Sequence, residues 1–256
     1  MKFAGIIAEY DPFHNGHAWQ LAQAKALGAE RVAVAMSCSL VQRGALPLLP
    51  EAVRTRSALT CGADLVFALP APCACAGAEA FARAGVALLA AAGCDGLVFG
   101  AETPDAALLM EAAELLDSDS YRAALKAQLA GSARSFAAAR QAAAAKLASD
   151  ERVAALLDKP NNNLAVEYCR AIRSLAPRME AYPLPRQGAN HGEALHSAHG
   201  QFASASALRK LWAEGGADAV APYVPEAVFP LYQEAYAAGQ YTDFSAAGRC
   251  ELALLR

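Results

Sequence analysis

The sequence predicts an α/β protein built on a doubly wound parallel sheet of about five strands. Apolar runs of strand length alternate with stretches of helical spacing, and the runs contain few polar positions, as strands buried on both faces require. Hydrophobic residues make up 55% of the 256 residues, which is ample for a buried core.

The predicted strands each precede or follow a helical stretch. They are Ala4 to Ala8, Val32 to Met36, Leu65 to Leu69, Leu97 to Phe99, and Ala181 to Leu184. In sheets of this class, ligands bind beyond the carboxyl ends of the strands. The segments that follow the strands carry His14 to His17, Ser37, Pro70, and Gly100 to Glu102. We therefore expect these segments to line one crevice.

The chain is predicted to divide into an α/β domain, residues 1–200, and a helical part, residues 201–256. Within the α/β domain, residues 104–158 are dense in Ala and have no strand pattern, which predicts a helical insertion. The basic residues of this insertion are typical of a solvated helix face, although they could also face a polyanion. They are Arg122, Lys126, Arg134, Arg140 and Lys146.

Composition narrows the classes of partner. The net charge of −3 and the pI near 6.0 give no general attraction to a polyanion, so contact with nucleic acid requires a local basic surface or recognition of shape. The N-terminus does not have the pattern of a signal peptide, and we expect a cytoplasmic protein with reduced thiols. Cys73 and Cys75 lack the spacing of a zinc site, and no apolar stretch is long enough to span a membrane. Neither a metal-thiolate site nor a membrane-spanning segment is predicted.

The first candidate site is the tetrapeptide His14-Asn15-Gly16-His17, which lies where the first strand gives way to a helix. The first turn of a helix offers free backbone N–H groups and the positive end of the helix dipole, which together favour a phosphate. Gly16 has no Cβ to keep a nucleotide away from the backbone, and His17 would lie closest to the phosphorus. The alternative is that a histidine at a helix start serves as a cap or as a solvated surface group.

Two later segments carry similar chemistry. Ser204 or Ser206 can cap a helix whose first turns also contain Arg209, and this combination suits a pyrophosphate leaving group, although a plain capped helix explains it as well. Asn161-Asn162-Asn163 is predicted to begin another helix with an Asn cap. One or two of these amides would then point at an adenine edge or a ribose hydroxyl, whereas a tight turn is the alternative.

The His-x-Gly-His pattern matches the signature of Rossmann-like nucleotidyltransferases that resemble class I aminoacyl-tRNA synthetases. Over nearly its whole length, the sequence resembles the tRNA-Met cytidine acetate ligase family. The matching segments are Glu9 to His17, Val41 to Gly44, Arg54 to Arg56, Ala58-Leu59, Gly62 to Val66, Phe99 to Glu102, Lys159 to Asn162, Glu167-Tyr168, Gly188-Ala189, Phe202 to Ser206, and Leu208 to Lys210. That family has a further helical region, which helps to hold tRNA. Residues 201–256 are therefore expected to complete the ATP site, and either the chain is truncated after them or its lineage has lost the RNA-binding part.

The resemblance implies an ATP-dependent ligase that acts in two steps. Acetate is activated to acetyl-adenylate, and the acetyl group then passes to the wobble cytidine of elongator tRNA-Met, giving N4-acetylcytidine. Acetate and tRNA-Met would be its partners, and Mg²⁺ is expected to bridge the phosphates of ATP. His14, His17 and Arg209 would be the catalytic residues, because they can donate hydrogen bonds to the charge that develops on the phosphates.

The resemblance also implies a set of ATP-binding residues and a second tier of substrate-binding residues. The ATP-binding residues are Ile7, Ala8, Glu9, Tyr10, Asp11, Pro12, Phe13, Asn15, Gly16, Gly100, Asn161, Asn162, Arg186, Ser204 and Ser206. The second tier is Gln42, Arg43, Arg54 and Arg56. Two other functions are left open: an adenylyltransferase for another small acceptor, whose phosphate the second-tier arginines could bind, and a nucleotide-binding protein without catalysis.

Overall fold

The structure is a computed structural model that describes residues 1–41, 44–131, 135–186, 195–197 and 200–244. Five strands form one sheet in the order β3-β2-β1-β4-β5. They are β1 (Phe3–Ala8), β2 (Arg31–Ser37), β3 (Leu65–Leu69), β4 (Gly96–Ala101) and β5 (Glu180–Pro185). The pairs β1–β4, β2–β3 and β4–β5 are parallel. The predicted fold class and all of the predicted strands are therefore confirmed.

Helices occupy most of the remaining described chain. They are α1 (Asn15–Ala26), α2 (Glu51–Thr60), α3 (Ala71–Ala74), α4 (Ala78–Ala91), α5 (Ala106–Asp117), α6 (Asp119–Ala130), α7 (Phe136–Leu147), α8 (Glu151–Leu156), α9 (Pro160–Leu175), α10 (Ala205–Val220) and α11 (Phe229–Ala237). An antiparallel hairpin, β6 (Leu195–Ser197) with β7 (Gly200–Phe202), was not predicted from the sequence. In the described ranges, no helix is both long enough and apolar enough to cross a membrane.

The chain forms two compact units that are interleaved in sequence. The first unit comprises Met1–Gly5 and Gly77–Arg186, and the second comprises Ile6–Ala76 and the described residues after 186. The division into functional domains at residue 200 stays a prediction.

The first unit is built on α9, against which α4 and α5 pack. The region predicted as a helical insertion contains α5 to α8, and its core is lined by small side chains such as Ala112, Ala139 and Ala143, which are fully buried. Arg140 does not face a polyanion, because its guanidinium pairs with the buried carboxylate of Glu167. Arg134 lies outside the described residues.

Helix and strand approach closely at Gly5 in this unit. A Cβ built on Gly5 would lie 2.8 Å from Cδ1 and 3.3 Å from Cβ of Leu89, which is itself fully buried on α4. Only glycine fits at this position of β1 without a shift of the buried Leu89 side chain or of α4.

We expect Gly5→Ala to lower the free energy of unfolding by about 1–3 kcal/mol, because the added methyl group overpacks this contact. Urea denaturation measures the effect. In a Leu89→Ala background the same substitution should cost much less, since the Cδ1 contact at 2.8 Å is gone and only the Cβ contact at 3.3 Å remains. An equal cost in both backgrounds would show that Leu89 is not the source of the constraint.

Candidate active site

The turn after β1 is tightly packed within the second unit. Tyr10 has a φ of 49°, which for a residue other than glycine costs on the order of 1–3 kcal/mol, and its ring is buried with 1% exposure. The ring packs edge-on against Phe13 and His17, with centroid distances of 4.9 and 4.8 Å. The backbone carbonyl of Phe13 accepts a hydrogen bond of 2.7 Å from the buried hydroxyl of Tyr232 on α11. The packing thus fixes the path of the chain into α1.

The histidines of the tetrapeptide close the start of α1. His14 is the N-cap, and its Nδ1 accepts a hydrogen bond of 3.0 Å from the N–H of Gly16. His17 reaches back, and its Nδ1 accepts from the N–H of His14 at 3.2 Å. The two rings stack at a centroid distance of 3.7 Å and an interplanar angle of 23°. The two imidazoles therefore take the places of the Ser and Glu side chains of an ordinary capping box.

This geometry assigns the ring protons. A nitrogen that accepts a hydrogen bond carries no proton, so in both rings the proton lies on Nε2. His14 and His17 are thereby held as Nε2–H donors, side by side at the positive end of a helix dipole. Such donors suit the stabilisation of a developing negative charge.

Gly16 has a structural reason for being glycine that the sequence did not predict. A Cβ on Gly16 would lie 2.9 Å from Cε1 and 3.0 Å from Nδ1 of His14. The ring of His14 fills the space of the missing Cβ and accepts the hydrogen bond of the Gly16 N–H group. The absent side chain makes room for the cap.

Asp11 joins three parts of the second unit. Its carboxylate, 4% exposed, accepts hydrogen bonds from the N–H of Leu48 at 2.6 Å and from Nη1 of Arg209 at 3.0 Å. The same Nη1 also donates to the backbone carbonyl of Asp11 at 2.7 Å. Burial raises the pKa of Asp11, and the Leu48 N–H and the positive charge of Arg209 act in the opposite direction. The side chain of Arg209 is 34% exposed, so its guanidinium is anchored and still accessible.

The predicted cap of α10 is confirmed. Ser204 is the N-cap and its hydroxyl accepts from the N–H of Ala207 at 3.3 Å, while the hydroxyls of Ser204 and Ser206 lie 3.1 Å apart. Two hydroxyls and the guanidinium of Arg209 are thus presented within the first turns of one helix. This is a suitable arrangement for an anion.

Other residues predicted to bind ATP in the second unit differ in accessibility. Tyr10, Asp11, Pro12 and Phe13 are buried in protein, whereas Ile7, Ala8, Glu9 and Asn15 are half-buried. The amide of Asn15 donates to the carbonyl of Pro222 at 3.3 Å. The buried members shape the turn, and only the half-buried members are accessible to a ligand.

The second-tier arginines also differ in their exposure to solvent. Arg54 is fully buried on α2, whereas Arg56 is exposed and pairs with Glu234 at 3.6 Å. Gln42 and Arg43 lie outside the described residues.

In the first unit, Glu102 organises the start of α9. Its carboxylate accepts hydrogen bonds from the N–H groups of Asn161, at 3.3 Å, and Asn162, at 2.7 Å, and from the side-chain amide of Asn161 at 2.6 Å. The side chain of Asn162, 1% exposed, accepts from the N–H of Thr103 at 2.9 Å and donates to the Thr103 hydroxyl at 3.1 Å. Gly100 and Arg186, at the ends of β4 and β5, are both exposed.

The predicted Asn cap of α9 is wrong. Lys159 is the N-cap without a side-chain hydrogen bond, Pro160 occupies the first helical position, and the Glu102 carboxylate binds the exposed N–H groups instead. Sequence reasoning missed this role of Glu102, because the acid is far from the helix in sequence. A signal was present, since Lys-Pro starts a helix whose first turn contains no acidic residue of its own.

The described residues contain no group of three or more His, Cys, Asp and Glu side chains that could hold a metal ion. Asp11, the acid beside the histidine turn, is already bonded to Leu48 and Arg209. This part of the chain therefore offers no carboxylate cage for Mg²⁺.

A doubly wound parallel sheet whose first strand leads into a His-x-Gly-His helix start defines a nucleotidyltransferase class of protein. Comparison with known families agrees: the family model for HIGH Nucleotidyl Transferase matches residues 1–252. The chain belongs to the HIGH nucleotidyl transferase family.

The curated relatives of the chain include two with the name tRNA(Met) cytidine acetate ligase. That of Syntrophotalea carbinolica is 41% identical over 218 residues, covering 84% of this chain and 52% of the relative. That of Caldanaerobacter subterraneus subsp. tengcongensis is 35% identical over 244 residues, covering 94% and 60%. The chain therefore spans little more than half the length of these relatives.

Solved structures give the same picture. Thermotoga maritima TmcAL bound with alpha-thio ATP is 30% identical, with a TM-score of 0.84 over 94% of this chain and 57% of that chain. The apo form is 31% identical, with a TM-score of 0.86 over 94% and 58%.

We expect Gly16→Ala to displace the His14 ring and so remove the cap, lowering the free energy of unfolding by about 0.5–2 kcal/mol. Urea denaturation, with hydrogen exchange at the first amides of α1, measures this. Gly100→Ala is the matched control, because its added Cβ would meet only Arg186 Cγ, at an ordinary 3.5 Å. Unchanged stability and protection in Gly16→Ala would disprove the capping role of the ring.

Proposed function

We propose that the chain activates acetate with ATP and transfers the acetyl group to the wobble cytidine of elongator tRNA-Met. The observation that carries this proposal is the pair of Nε2–H donors, His14 and His17, held at the start of α1 in the same unit as the anchored guanidinium of Arg209. The names of the curated relatives and the alpha-thio ATP bound to the Thermotoga maritima protein support it.

In the first step, a carboxylate oxygen of acetate attacks the α-phosphorus of ATP. The bond from that phosphorus to the oxygen that bridges to the β-phosphate breaks, pyrophosphate leaves with the electron pair, and acetyl-adenylate forms. In the second step, the N4 amine of cytidine attacks the acetyl carbonyl, AMP leaves, and the amine loses a proton to give N4-acetylcytidine.

The protein groups act on the charge of the first step. The Nε2–H groups of His14 and His17 donate to oxygens of the α-phosphoryl group, where negative charge grows as acetate attacks. Arg209 supplies a permanent positive charge to the departing pyrophosphate, assisted by the hydroxyls of Ser204 and Ser206. Because Asp11 holds one nitrogen of Arg209 in place, little ordering of that side chain is needed when ATP binds.

Mg²⁺ is proposed to arrive on the phosphates of ATP. The donor set described above does not fit a metal held by the protein alone, so we assign no step to a protein-bound ion.

The nucleotide contacts predicted in the first unit, Gly100, Asn161 and Arg186, stay predictions. Asn161 is favoured over Asn162, since the side chain of Asn162 is buried and doubly bonded to Thr103. The tRNA substrate, the acetate specificity and a cytoplasmic location belong to the same proposal.

A phosphorylated acceptor is less well supported than acetate. The arginines that could bind its phosphate include Arg54, whose guanidinium is inaccessible, and Arg56, which pairs with Glu234. We therefore favour the carboxylate acceptor.

We expect His17→Ala to reduce acetate-dependent ATP–pyrophosphate exchange by about 10²–10³, because one donor to the phosphoryl oxygens is lost. Circular dichroism should show an intact fold. Gln23→Ala, on the same helix and outside the proposed site, should retain full exchange. Unchanged turnover in His17→Ala would remove this ring from the mechanism.

We also expect ATP to bind the purified chain without tRNA, because the groups assigned to the phosphates belong to the protein. Isothermal titration calorimetry should show saturable binding, weakened about tenfold in Arg209→Lys, which lacks the planar fork. Arg31→Lys, exposed at the start of β2, should bind like the wild type. The absence of ATP binding by the wild-type chain would overturn the assignment.

A further inference from the structure

Arg54 occupies an unusual position for a charged residue. It lies on α2 with no exposed surface, and its guanidinium donates to four backbone carbonyls. Nε donates to Leu49 at 3.0 Å, Nη1 to Glu9 at 2.7 Å and Ser37 at 2.6 Å, and Nη2 to Cys38.

No carboxylate of the described residues forms an ion pair with this guanidinium. Burial lowers the pKa of Arg54, and the negative charges of Asp11, Glu51 and Glu9 raise it without forming an ion pair. The stabilisation at close range therefore comes from carbonyl dipoles. A planar fork of donors can bind carbonyls in several directions at once, which a lysine ammonium cannot do with the same geometry.

The four carbonyls belong to three segments: the residue after β1, the end of β2 with the residue that follows it, and the loop before α2. The carbonyl of Glu9 belongs to the peptide that joins it to Tyr10, the residue with a φ of 49°. The carbonyl of Leu49 lies one residue from Leu48, whose N–H holds the carboxylate of Asp11. Arg54 thus bonds next to both of the segments that the Asp11–Leu48 hydrogen bond joins, at Glu9 on one and at Leu49 on the other.

We propose that Arg54 is a positioning residue for the phosphoryl step. It holds the turn between β1 and α1 in register with the Leu48 loop, and through them it sets the positions of the His17 ring and the Arg209 guanidinium. The proposal rests on the proposed function and replaces a substrate contact for Arg54, which is fully buried and has four of its five N–H groups bonded within the protein. Misplacement of these groups by about 1 Å is enough to cost about 10²-fold in rate.

The test compares Arg54→Lys with wild type in acetate-dependent ATP–pyrophosphate exchange, well below the unfolding temperature of each protein. We expect kcat per folded molecule to fall about 10- to 100-fold while KM for ATP changes less than about threefold, since positioning affects the transition state more than ground-state binding. Leu109→Ala, at a fully buried position on α5 in the other unit, controls for loss of stability. A loss of kcat no larger than that of Leu109→Ala would overturn the proposal.

Hydrogen exchange separates this proposal from the proposed function. Arg54→Lys should speed exchange at the amides from Tyr10 to His17 and at Leu48 more than Leu109→Ala does, with no ATP present. If wild type shows no acetate-dependent exchange of pyrophosphate, the proposed function fails, and these amides alone decide whether Arg54 holds the turn. Unaltered protection of these amides in Arg54→Lys would refute the proposal that Arg54 holds the turn.

Should Arg54→Lys fail to fold, nitrogen-15 NMR of the wild type keeps the proposal testable. The Arg54 Nε–H should exchange slowly with solvent and keep its chemical shift when ATP is added. Fast exchange, or a large shift that identifies contact with phosphate, would contradict the positioning role.

Discussion

The candidate site depends on the hydrogen bonds and the ion pair that the buried carboxylate of Asp11 forms. It brings together the turn after β1, the loop at Leu48 and the helix that carries Arg209, three segments far apart in sequence. A carboxylate that is 4% exposed is stable only where donors replace its lost water, and the Leu48 N–H and the Arg209 guanidinium are those donors. The same bonds fix a positive charge beside the histidine turn.

The two histidine rings both cap α1 and provide hydrogen-bond donors for the proposed reaction. One nitrogen of each ring completes the first turn of α1, and this leaves the other nitrogen with the proton. The edge-on packing of Tyr10 against His17 and the stacking of the two rings hold this arrangement. A helix cap, an aromatic cluster and a strained residue thus orient this donor pair.

Much of the fold could be predicted because its signals are local. Buried parallel strands read as continuous apolar runs, and every predicted strand is present. A serine cap of α10, at Ser204 or Ser206, followed from residue type and position, and the structure shows that it is Ser204. The rest depends on contacts between distant residues: Glu102 binds the start of α9, and Arg54 is bonded to carbonyls of three segments, neither of which a sequence pattern records. The contact of Gly16 with the His14 ring was not predicted for the same reason, since that ring lies beside Gly16 only in three dimensions.

The most direct test of this account is the protonation pattern of His14 and His17, measured by long-range proton–nitrogen NMR on the chain without and with alpha-thio ATP. Both rings should carry their proton on Nε2 in the free protein, and both Nε2–H signals should shift when the nucleotide binds. A proton on Nδ1 of either ring would contradict the cap, and Nε2–H signals that do not respond to bound nucleotide would contradict the assignment of these rings to its phosphates.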